Sequence, residues 1–310
     1  MKSLFIDCNQ QLAPVFAHVH RADDPPIAVN ATPFTSADLP GLLAGYTICL
    51  DDHSYLPTEQ IAQCPGLRHV VFLGTGAASY MDIRALRELG VTVHTIKGYG
   101  DTAVAEHTMA LIFACARDIA RMDREVRAGT WQPAEGLQLA GKTLGIIGLG
   151  GIGREVARIA KGIGMKVIAW SRTPRPEADA AGVSMVDLDT LLACADIVSL
   201  HLALNEETRG LLSAERLARI KPGAILVNTA RGALVDEQAL IAALASGRLR
   251  HAGLDVFHAE PLARDHPLAR LENVTVTAHA AFRTAEASET LIRRAIDIVR
   301  SIIAGAPQPA

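Results

Sequence analysis

The sequence predicts an α/β protein built on parallel β-sheets that carry helices on their faces. Short β-rich runs alternate with helical patterns along the 310 residues, which is typical of parallel strands joined by helical crossovers. One stretch, residues 143–172, shows this alternation in its most compact form, as strand, glycine turn, helix and second strand. Charged and polar side chains follow several later strands, at the sheet edge where open α/β sheets place ligands.

The first 98 residues contain the first group of strands. The β-rich runs are 3–8, 46–50, 69–73 and 91–96, and the helical patterns between them are 58–64 and 81–89. Gly74, Thr75 and Gly76 follow the third run directly. Their backbone N–H groups lie beyond the carboxyl end of a predicted strand, so we expect a ligand-facing loop, with a simple glycine turn as the alternative.

A long helical stretch follows from Asp101 to Gly129. Asp101 or Thr102 is the predicted cap, and apolar residues recur at helical spacing at positions 105, 109, 112, 116 and 119. The β-rich block ends where this helix begins, which indicates a domain boundary. A final amphipathic pattern, 288–304, is expected to return to the first domain. The predicted domains are therefore 1–98 plus 283–310, and 99–282.

Residues 143–172 are predicted to form a dinucleotide-binding βαβ unit. The apolar run 144–147 suits a buried strand, and Gly148, Gly150 and Gly153 supply G-x-G-x-x-G spacing. Gly148 allows the tight turn, Gly150 admits a pyrophosphate, and Gly153 lets the helix pack on the strand. The N–H groups that open the helix, at Gly151 and Ile152, would face the pyrophosphate. The flanking strands and helix favour this interpretation over an unliganded glycine turn.

The end of the second strand of this unit indicates which dinucleotide binds. An acidic residue usually stands there and binds the ribose 2′-hydroxyl, but this chain has Ser171, Arg172, Thr173 and, two positions on, Arg175. Hydroxyl and guanidinium groups bind a 2′-phosphate, which a carboxylate would repel. We therefore predict NADP(H) over NAD(H), with a solvated loop and loose cofactor choice as the alternative.

The rest of the chain continues the alternation. Predicted helices cover 187–193, 213–220 and 236–246, and predicted strands cover 196–201, 224–228, 251–256 and 274–277. Together with the two strands of the βαβ unit, these make six strands from Leu144 onward, which is enough for two mononucleotide-binding halves.

Three residues just past strand ends form a set suited to hydride transfer to a 2-oxo acid. Arg231 can hold a substrate carboxylate in fork geometry and polarise the adjacent carbonyl. His279 can donate the proton to the carbonyl oxygen and remove it in the reverse direction. Glu260 would hold His279 in orientation. On spacing alone, His258 and His201 are rivals for the acid–base role.

Composition and charge exclude several other classes. The net charge of −3 provides no basic surface for nucleic acid or an anionic membrane. No apolar run approaches 18 residues, and the N-terminal apolar run is too short for a signal peptide, so we expect a cytoplasmic protein. The five cysteines are odd in number and widely spaced. They are predicted to be reduced core thiols, and no metal site is predicted.

Longer motifs identify a family. In chain order they are LGTGA at 73–77, VAEHT at 104–108, GLGGIG at 148–153, ADIVSLHLALNEETRGLL at 195–212, NTARGALVDEQAL at 228–240, GLDVFHAEPL at 253–262 and TAHAA at 277–281. Together they resemble the D-isomer-specific 2-hydroxyacid dehydrogenases, which include phosphoglycerate dehydrogenases and glyoxylate/hydroxypyruvate reductases. The resemblance implies a Rossmann dinucleotide-binding domain inserted into a flavodoxin-like substrate-binding domain. It also implies a homodimer built around the helix that begins near Asp101.

The resemblance implies the same catalytic roles as the chemistry does. Arg231 anchors the substrate, Glu260 is the carboxylate partner and His279 is the acid–base. Backbone N–H groups at Gly74, Thr75 and Gly76 would bind the substrate carboxylate. Beyond the glycine turn, Ser171 and Arg172, the cofactor contacts implied by the resemblance are His201, Thr208, Thr229, Ala230, Asp255 and Ala281.

The predicted function is an NADPH-preferring reductase of a small 2-oxo acid, such as glyoxylate or hydroxypyruvate. Residues 77–82 depart from the shorter segment of many family members, so the substrate is not carried over from any relative. A phosphoglycerate dehydrogenase is the rival enzyme, but residues 73–82 contain no Lys or Arg for a substrate phosphate. A non-catalytic dinucleotide-sensing protein is the alternative from another class.

Overall fold

The structure is a computed structural model that describes residues 1–173, 178 and 181–306. The chain divides into two compact units, the first of Met1–Gly100 with Arg283–Ala310 and the second of Asp101–Phe282. The first boundary lies two residues beyond the predicted one. In the described part of the chain, no helix combines the length and apolar character that a membrane crossing requires.

The first unit is built on a five-stranded parallel sheet. Its strands are β1 (Ser3–Phe5), β2 (Ile27–Val29), β3 (Ile48–Asp51), β4 (His69–Phe72) and β5 (Thr92–Thr95), and its helices are α1 (Leu12–Val19), α2 (Leu39–Leu42), α3 (Thr58–Ile61), α4 (Ile83–Glu88) and α12 (Ala285–Ala304). The strand order is β2-β1-β3-β4-β5, the flavodoxin-like arrangement.

The C-terminal helix α12 packs on this sheet. It buries Leu291, Ile292, Ala295, Ile296 and Val299 in a cluster that includes residues of β1, β3 and β4. The prediction that the final helix returns to the first part of the chain is therefore confirmed. Three elements of this unit were not predicted. Strand β2 is three residues long and not buried, helix α2 is only four residues long, and α1 contains Pro14, so none of them has a strong local pattern.

The second unit is built on a seven-stranded parallel sheet. Its strands are β6 (Thr143–Ile147), β7 (Lys166–Trp170), β8 (Ser184–Met185), β9 (Ile197–Leu200), β10 (Ala224–Asn228), β11 (Leu249–Leu254) and β12 (Val274–Val276). The sheet order is β12-β11-β10-β9-β6-β7-β8. Read from β6 as the unit's first strand, this is the Rossmann order 3-2-1-4-5-6 with one further edge strand. The prediction missed β8, which has only two residues.

The described helices of this unit are α5 (Asp101–Ala116), α6 (Ile119–Arg127), α7 (Gly151–Gly162), α8 (Leu188–Cys194), α9 (Ala214–Arg219), α10 (Glu237–Ala245) and α11 (Pro267–Arg270). The prediction of one helix from 101 to 129 is wrong, because the chain turns at Asp118, which has φ 53°. Asp is one of the few residues that adopt this left-handed conformation readily. The Asp118 carboxylate lies 3.3 Å from Nδ1 of the buried His251, a tertiary contact that accompanies the break.

Four of the five cysteines are buried free thiols, as predicted, while Cys194 at the end of α8 is exposed. The last turn of α8 places the Cys194 side chain on the solvent side, whereas Leu188, Leu191 and Leu192 of the same helix face the core. The prediction that Cys194 is a core thiol, which followed from its apolar neighbours in the sequence, is therefore wrong.

Candidate active site

The glycine turn between β6 and α7 has the geometry of a dinucleotide site. Gly148 has φ 103°, and a Cβ at this position would lie 2.5 Å from the His201 carbonyl oxygen. A Cβ at Gly153 would overlap the Gly148 carbonyl oxygen, so this glycine lets α7 lie on the turn. A Cβ at Gly150 would meet no atom within 4 Å. The space in front of the helix N-terminus, with the N–H groups of Gly151 and Ile152 in its first turn, fits a pyrophosphate.

Ser171 and Arg172 lie directly past β7, next to this turn. The Gly148 N–H donates to the Trp170 carbonyl at 2.8 Å, which fixes the end of β7 beside the glycine loop. Ser171 is half-buried and Arg172 is exposed. The Arg172 guanidinium forms an ion pair with Glu207. Arg175, which belongs to the same predicted 2′-phosphate-binding segment as Arg172, lies outside the described residues.

His201 closes the other side of the glycine turn. Its backbone N–H donates to the Ile147 carbonyl at 2.8 Å, and Nε2 lies 2.8 Å from the Ser199 hydroxyl. Nδ1 is buried and has no hydrogen-bond partner among the described residues. Burial lowers the pKa of His201 from 6.5 to about 4, so the ring is neutral at physiological pH. A neutral ring with one orphaned nitrogen can accept or donate one hydrogen bond to a ligand.

Polar groups of three predicted cofactor contacts, Thr208, Thr229 and Ala230, form hydrogen bonds within the protein. The Thr208 hydroxyl donates to the Ala203 carbonyl at 2.8 Å and so closes the turn 203–208. The Thr229 hydroxyl lies 2.9 Å from that of Thr108 on α5. The Ala230 N–H donates to Oδ1 of Asn228 at 3.0 Å. Their roles as cofactor contacts stay predictions.

The predicted acid–base and its carboxylate meet in the structure. His279 Nδ1 lies 2.7 Å from Glu260 Oε2, and Glu260 Oε1 accepts the Phe257 N–H at 2.9 Å. Glu260 is therefore held at one oxygen while it holds the imidazole with the other. His279 has φ 49°, a left-handed conformation that is costly for a non-glycine residue and that clusters at functional sites.

Asp255 holds the loop that carries His279. Its fully buried carboxylate accepts the Thr277 hydroxyl at 2.5 Å and the N–H groups of Ala280 and Ala281 at 2.9 and 3.0 Å. The His279 N–H donates to the Asp255 carbonyl at 2.8 Å. These four bonds bracket the left-handed residue, so Asp255 fixes the position of the imidazole. Its predicted contact with the cofactor stays a prediction.

His107 on α5 also contacts the loop that carries His279, and it was not among the predicted site residues. Its Nε2 lies 3.0 Å from the Thr277 hydroxyl and 3.6 Å from Asp255 Oδ1. The motif VAEHT at 104–108 contained it, but only the tertiary contact shows that it supports the loop of His279 from behind.

Arg231 lies in the turn after β10, beside the loop that carries Glu260. The Asn228 side chain shapes this turn by donating to the Arg231 carbonyl at 2.9 Å. A Cβ at Gly232 would overlap the Phe257 backbone, so glycine there lets the arginine turn pack on the segment that leads to Glu260. In the structure, the Arg231 guanidinium donates to the Ala230 carbonyl at 2.6 Å.

The two rival histidines have structural partners instead. His258 Nε2 lies 2.9 Å from the Val235 carbonyl oxygen, and His201 lies on the glycine turn as described. Among the three histidines considered, the carboxylate partner belongs to His279.

The predicted substrate loop lies in the first unit, past β4. Gly74 has φ 156°, and its N–H donates to the Phe72 carbonyl at 2.9 Å, so this N–H is engaged within the loop. Thr75 is exposed and Gly76 is half-buried. Substrate binding by this loop stays a prediction.

A seven-stranded Rossmann sheet, a glycine turn that fits a pyrophosphate and a histidine–carboxylate pair define a nicotinamide-dinucleotide-dependent oxidoreductase. A family model, the NAD-binding domain of the D-isomer-specific 2-hydroxyacid dehydrogenases, matches residues 109–281. The chain belongs to this family, and it is an oxidoreductase that acts on the CH–OH group of a hydroxy acid.

Curated relatives agree with the family. The chain is 35% identical to the glycerate dehydrogenase of Methylorubrum extorquens over 89% of its own length and 88% of the relative. It is 43% identical to the hydroxypyruvate reductase of Thermotoga maritima over 72% of each chain. It is 38% identical to the D-3-phosphoglycerate dehydrogenase of Archaeoglobus fulgidus over 77% of this chain, but this match spans only 46% of that relative.

Solved structures share the whole fold. The apo D-lactate dehydrogenase of Escherichia coli has a TM-score of 0.88 at 28% identity and covers 100% of this chain and 99% of its own. An acyclic imino acid reductase (Bsp5) in complex with NADPH and D-Arg has a TM-score of 0.85 at 29% identity, with 99% and 98% covered. The predicted fold class is confirmed.

Proposed function

We propose that this protein is an NADPH-preferring reductase of a small 2-oxo acid of the glyoxylate or hydroxypyruvate type. The observation that carries the proposal is the 2.7 Å contact between His279 Nδ1 and Glu260 Oε2. A sensor of dinucleotides has no need for an oriented acid–base, so this pair favours an enzyme over a binding protein. Relatives named hydroxypyruvate reductase and glyoxylate reductase support the substrate class.

In the proposed reaction, the bound nicotinamide supplies the hydride that reduces the carbonyl carbon of the 2-oxo acid. Arg231 binds the substrate carboxylate and polarises the carbonyl. Because Nδ1 of His279 is held by Glu260, Nε2 is the atom that donates the proton to the carbonyl oxygen. Glu260 stabilises the orientation of the ring, and Asp255 fixes the backbone of His279. In the reverse direction, Nε2 accepts the proton of the hydroxyl group.

The preference for NADPH rests on Ser171 and Arg172 past β7. A hydroxyl and a guanidinium can bind a 2′-phosphate, and no carboxylate stands at either position. The test compares kcat/KM for NADPH and NADH in the wild type and in Arg172→Ala. We expect NADPH to be preferred and Arg172→Ala to lose activity selectively with NADPH. A clear NADH preference in the wild type would refute this part of the proposal.

The substrate is tested with a panel of glyoxylate, hydroxypyruvate, pyruvate and phosphohydroxypyruvate. We expect the unphosphorylated acids to turn over faster, because residues 73–82 offer no cation for a phosphate. Preference for phosphohydroxypyruvate would support a phosphoglycerate dehydrogenase instead. Tight cofactor binding with no turnover of any acid would support the sensor.

We also propose a homodimer. Large apolar side chains are exposed on and after the α5–α6 pair: Phe113, Ile119, Val126 and Trp131. Trp131 is 86% exposed, and burial of such large apolar side chains against a second copy of the chain would stabilise a dimer. Sedimentation equilibrium should give twice the mass of the 32.9 kDa chain. A monomer at micromolar concentration would contradict the proposal.

A further inference from the structure

The ion pair between Arg172 and Glu207 lies where a 2′-phosphate is proposed to bind. Arg172 follows β7, and Glu207 belongs to the loop after β9, 35 residues further along the chain. Both side chains are largely exposed, 68% and 70%. The pair therefore stabilises the fold little, and its importance lies in the carboxylate that it holds beside the guanidinium proposed to bind the 2′-phosphate.

The loop that presents Glu207 is held by its own hydrogen bonds. The Asn205 N–H donates to the Thr208 hydroxyl at 2.8 Å, and the Thr208 N–H donates to Asn205 Oδ1 at 2.9 Å. The Thr208 hydroxyl donates in turn to the Ala203 carbonyl at 2.8 Å. This reciprocal bonding restrains the backbone on both sides of Glu207.

The Glu207 carboxylate competes with a 2′-phosphate for the Arg172 guanidinium. A 2′-phosphate carries close to two negative charges, and it must replace the Glu207 carboxylate as the partner of Arg172 or share the guanidinium with it. Sharing places two anions next to each other, which is unfavourable. A 2′-hydroxyl requires neither change. The ion pair therefore lowers the affinity for NADP(H), whose 2′-phosphate competes with Glu207 for Arg172, and leaves the affinity for NAD(H) unchanged.

We propose that Glu207 is a determinant of cofactor specificity that restrains NADP(H) binding by occupying Arg172. The inference rests on the proposed NADP(H) preference and adds a residue with the opposite effect. It predicts that removing the charge of Glu207 increases discrimination in favour of NADP(H). The matched control is Glu206, the adjacent carboxylate of the same loop.

The test measures binding without turnover, by calorimetry with 2′,5′-ADP and 5′-AMP, two fragments that differ in the 2′-phosphate. Glu207→Gln should tighten 2′,5′-ADP about two- to fivefold, the range of an exposed ion pair, and should leave 5′-AMP unchanged. Glu206→Gln should affect neither fragment. The gain in Glu207→Gln should shrink in 0.5 M salt, because salt screens exposed charges. Fluorescence titration with NADPH and NADH should give the same pattern.

The remaining outcomes separate this inference from the proposed function. Weaker 2′,5′-ADP binding in Glu207→Gln, an equal gain for both fragments, or the same gain in Glu206→Gln would overturn the role of Glu207. Arg172→Ala tests the proposed NADP(H) preference on which the inference rests. If it weakens 2′,5′-ADP selectively while Glu207→Gln has no effect, only the inference fails. If Arg172→Ala weakens both fragments equally, the proposed NADP(H) preference and the inference fail together.

Discussion

His279 and Glu260 meet through Nδ1 and Oε2 at 2.7 Å although they lie 19 residues apart in the chain. If Glu260 acts by orienting the imidazole, its effect depends on the presence of His279. Replacing His279 with Ala should lower kcat about 10²–10⁴-fold, the range of general acid–base catalysis, with NADPH affinity nearly unchanged.

The carboxylate is tested by Glu260→Gln, which should lower kcat by less than His279→Ala does. The double variant should be no slower than His279→Ala alone, because residues that act as a unit are not additive. Losses that multiply in the double variant would show that Glu260 acts independently of His279.

The backbone support of the site is tested by Asp255→Asn. The amide cannot accept all the bonds that the carboxylate accepts from Thr277, Ala280 and Ala281. We expect the free energy of unfolding to fall by about 1–3 kcal/mol, the cost of an unsatisfied buried group, and kcat to fall because His279 loses its fixed position. Thermal unfolding and initial rates measure the two effects. A variant with wild-type kcat would contradict the positioning role.

Alanine substitutions at two glycines of the turn should affect stability and cofactor affinity separately. Gly153→Ala should lower the melting temperature, because its Cβ would overlap the Gly148 carbonyl. Gly150→Ala should melt like the wild type, because a Cβ there meets nothing within 4 Å, and yet it should bind NADPH more weakly, since that space is assigned to the pyrophosphate. Unfolding curves and NADPH titrations of both variants decide this. Unchanged NADPH affinity in Gly150→Ala would place the pyrophosphate elsewhere.

His201, whose Nδ1 atom is buried without a hydrogen-bond partner among the described residues, should make stability depend on pH. Burial lowers its pKa from 6.5 to about 4, so between these values the unfolded chain binds a proton that the folded chain does not. Its contribution is therefore complete above pH 6.5 and falls as the pH drops toward 4. Urea unfolding at pH 7.5 and 5 should show a smaller loss on acidification in His201→Gln than in the wild type. Equal losses in both proteins would contradict a neutral buried ring.

Local patterns in the sequence were sufficient for much of the fold. Buried strands such as β10, predicted at 224–228 and found at Ala224–Asn228, have continuous apolar runs, and the glycine spacing at 148, 150 and 153 identified the turn. Short elements without such a pattern, β2 and β8, were missed. The break at Asp118 was missed because it coincides with a contact to His251, far along the chain.

The residue types of the site came from the sequence by itself, because acid–base and carboxylate-binding chemistry restricts which side chains can serve. Only the tertiary structure decided their arrangement. It paired Glu260 with His279, brought Asp255 and His107 into contact with the loop that carries His279, and paired Glu207 with Arg172. These contacts depend on which strands lie side by side and on their register, because strand order determines which loop ends meet at the sheet edge. The strand order cannot be predicted from local sequence patterns, because it depends on contacts between segments that are far apart in the chain.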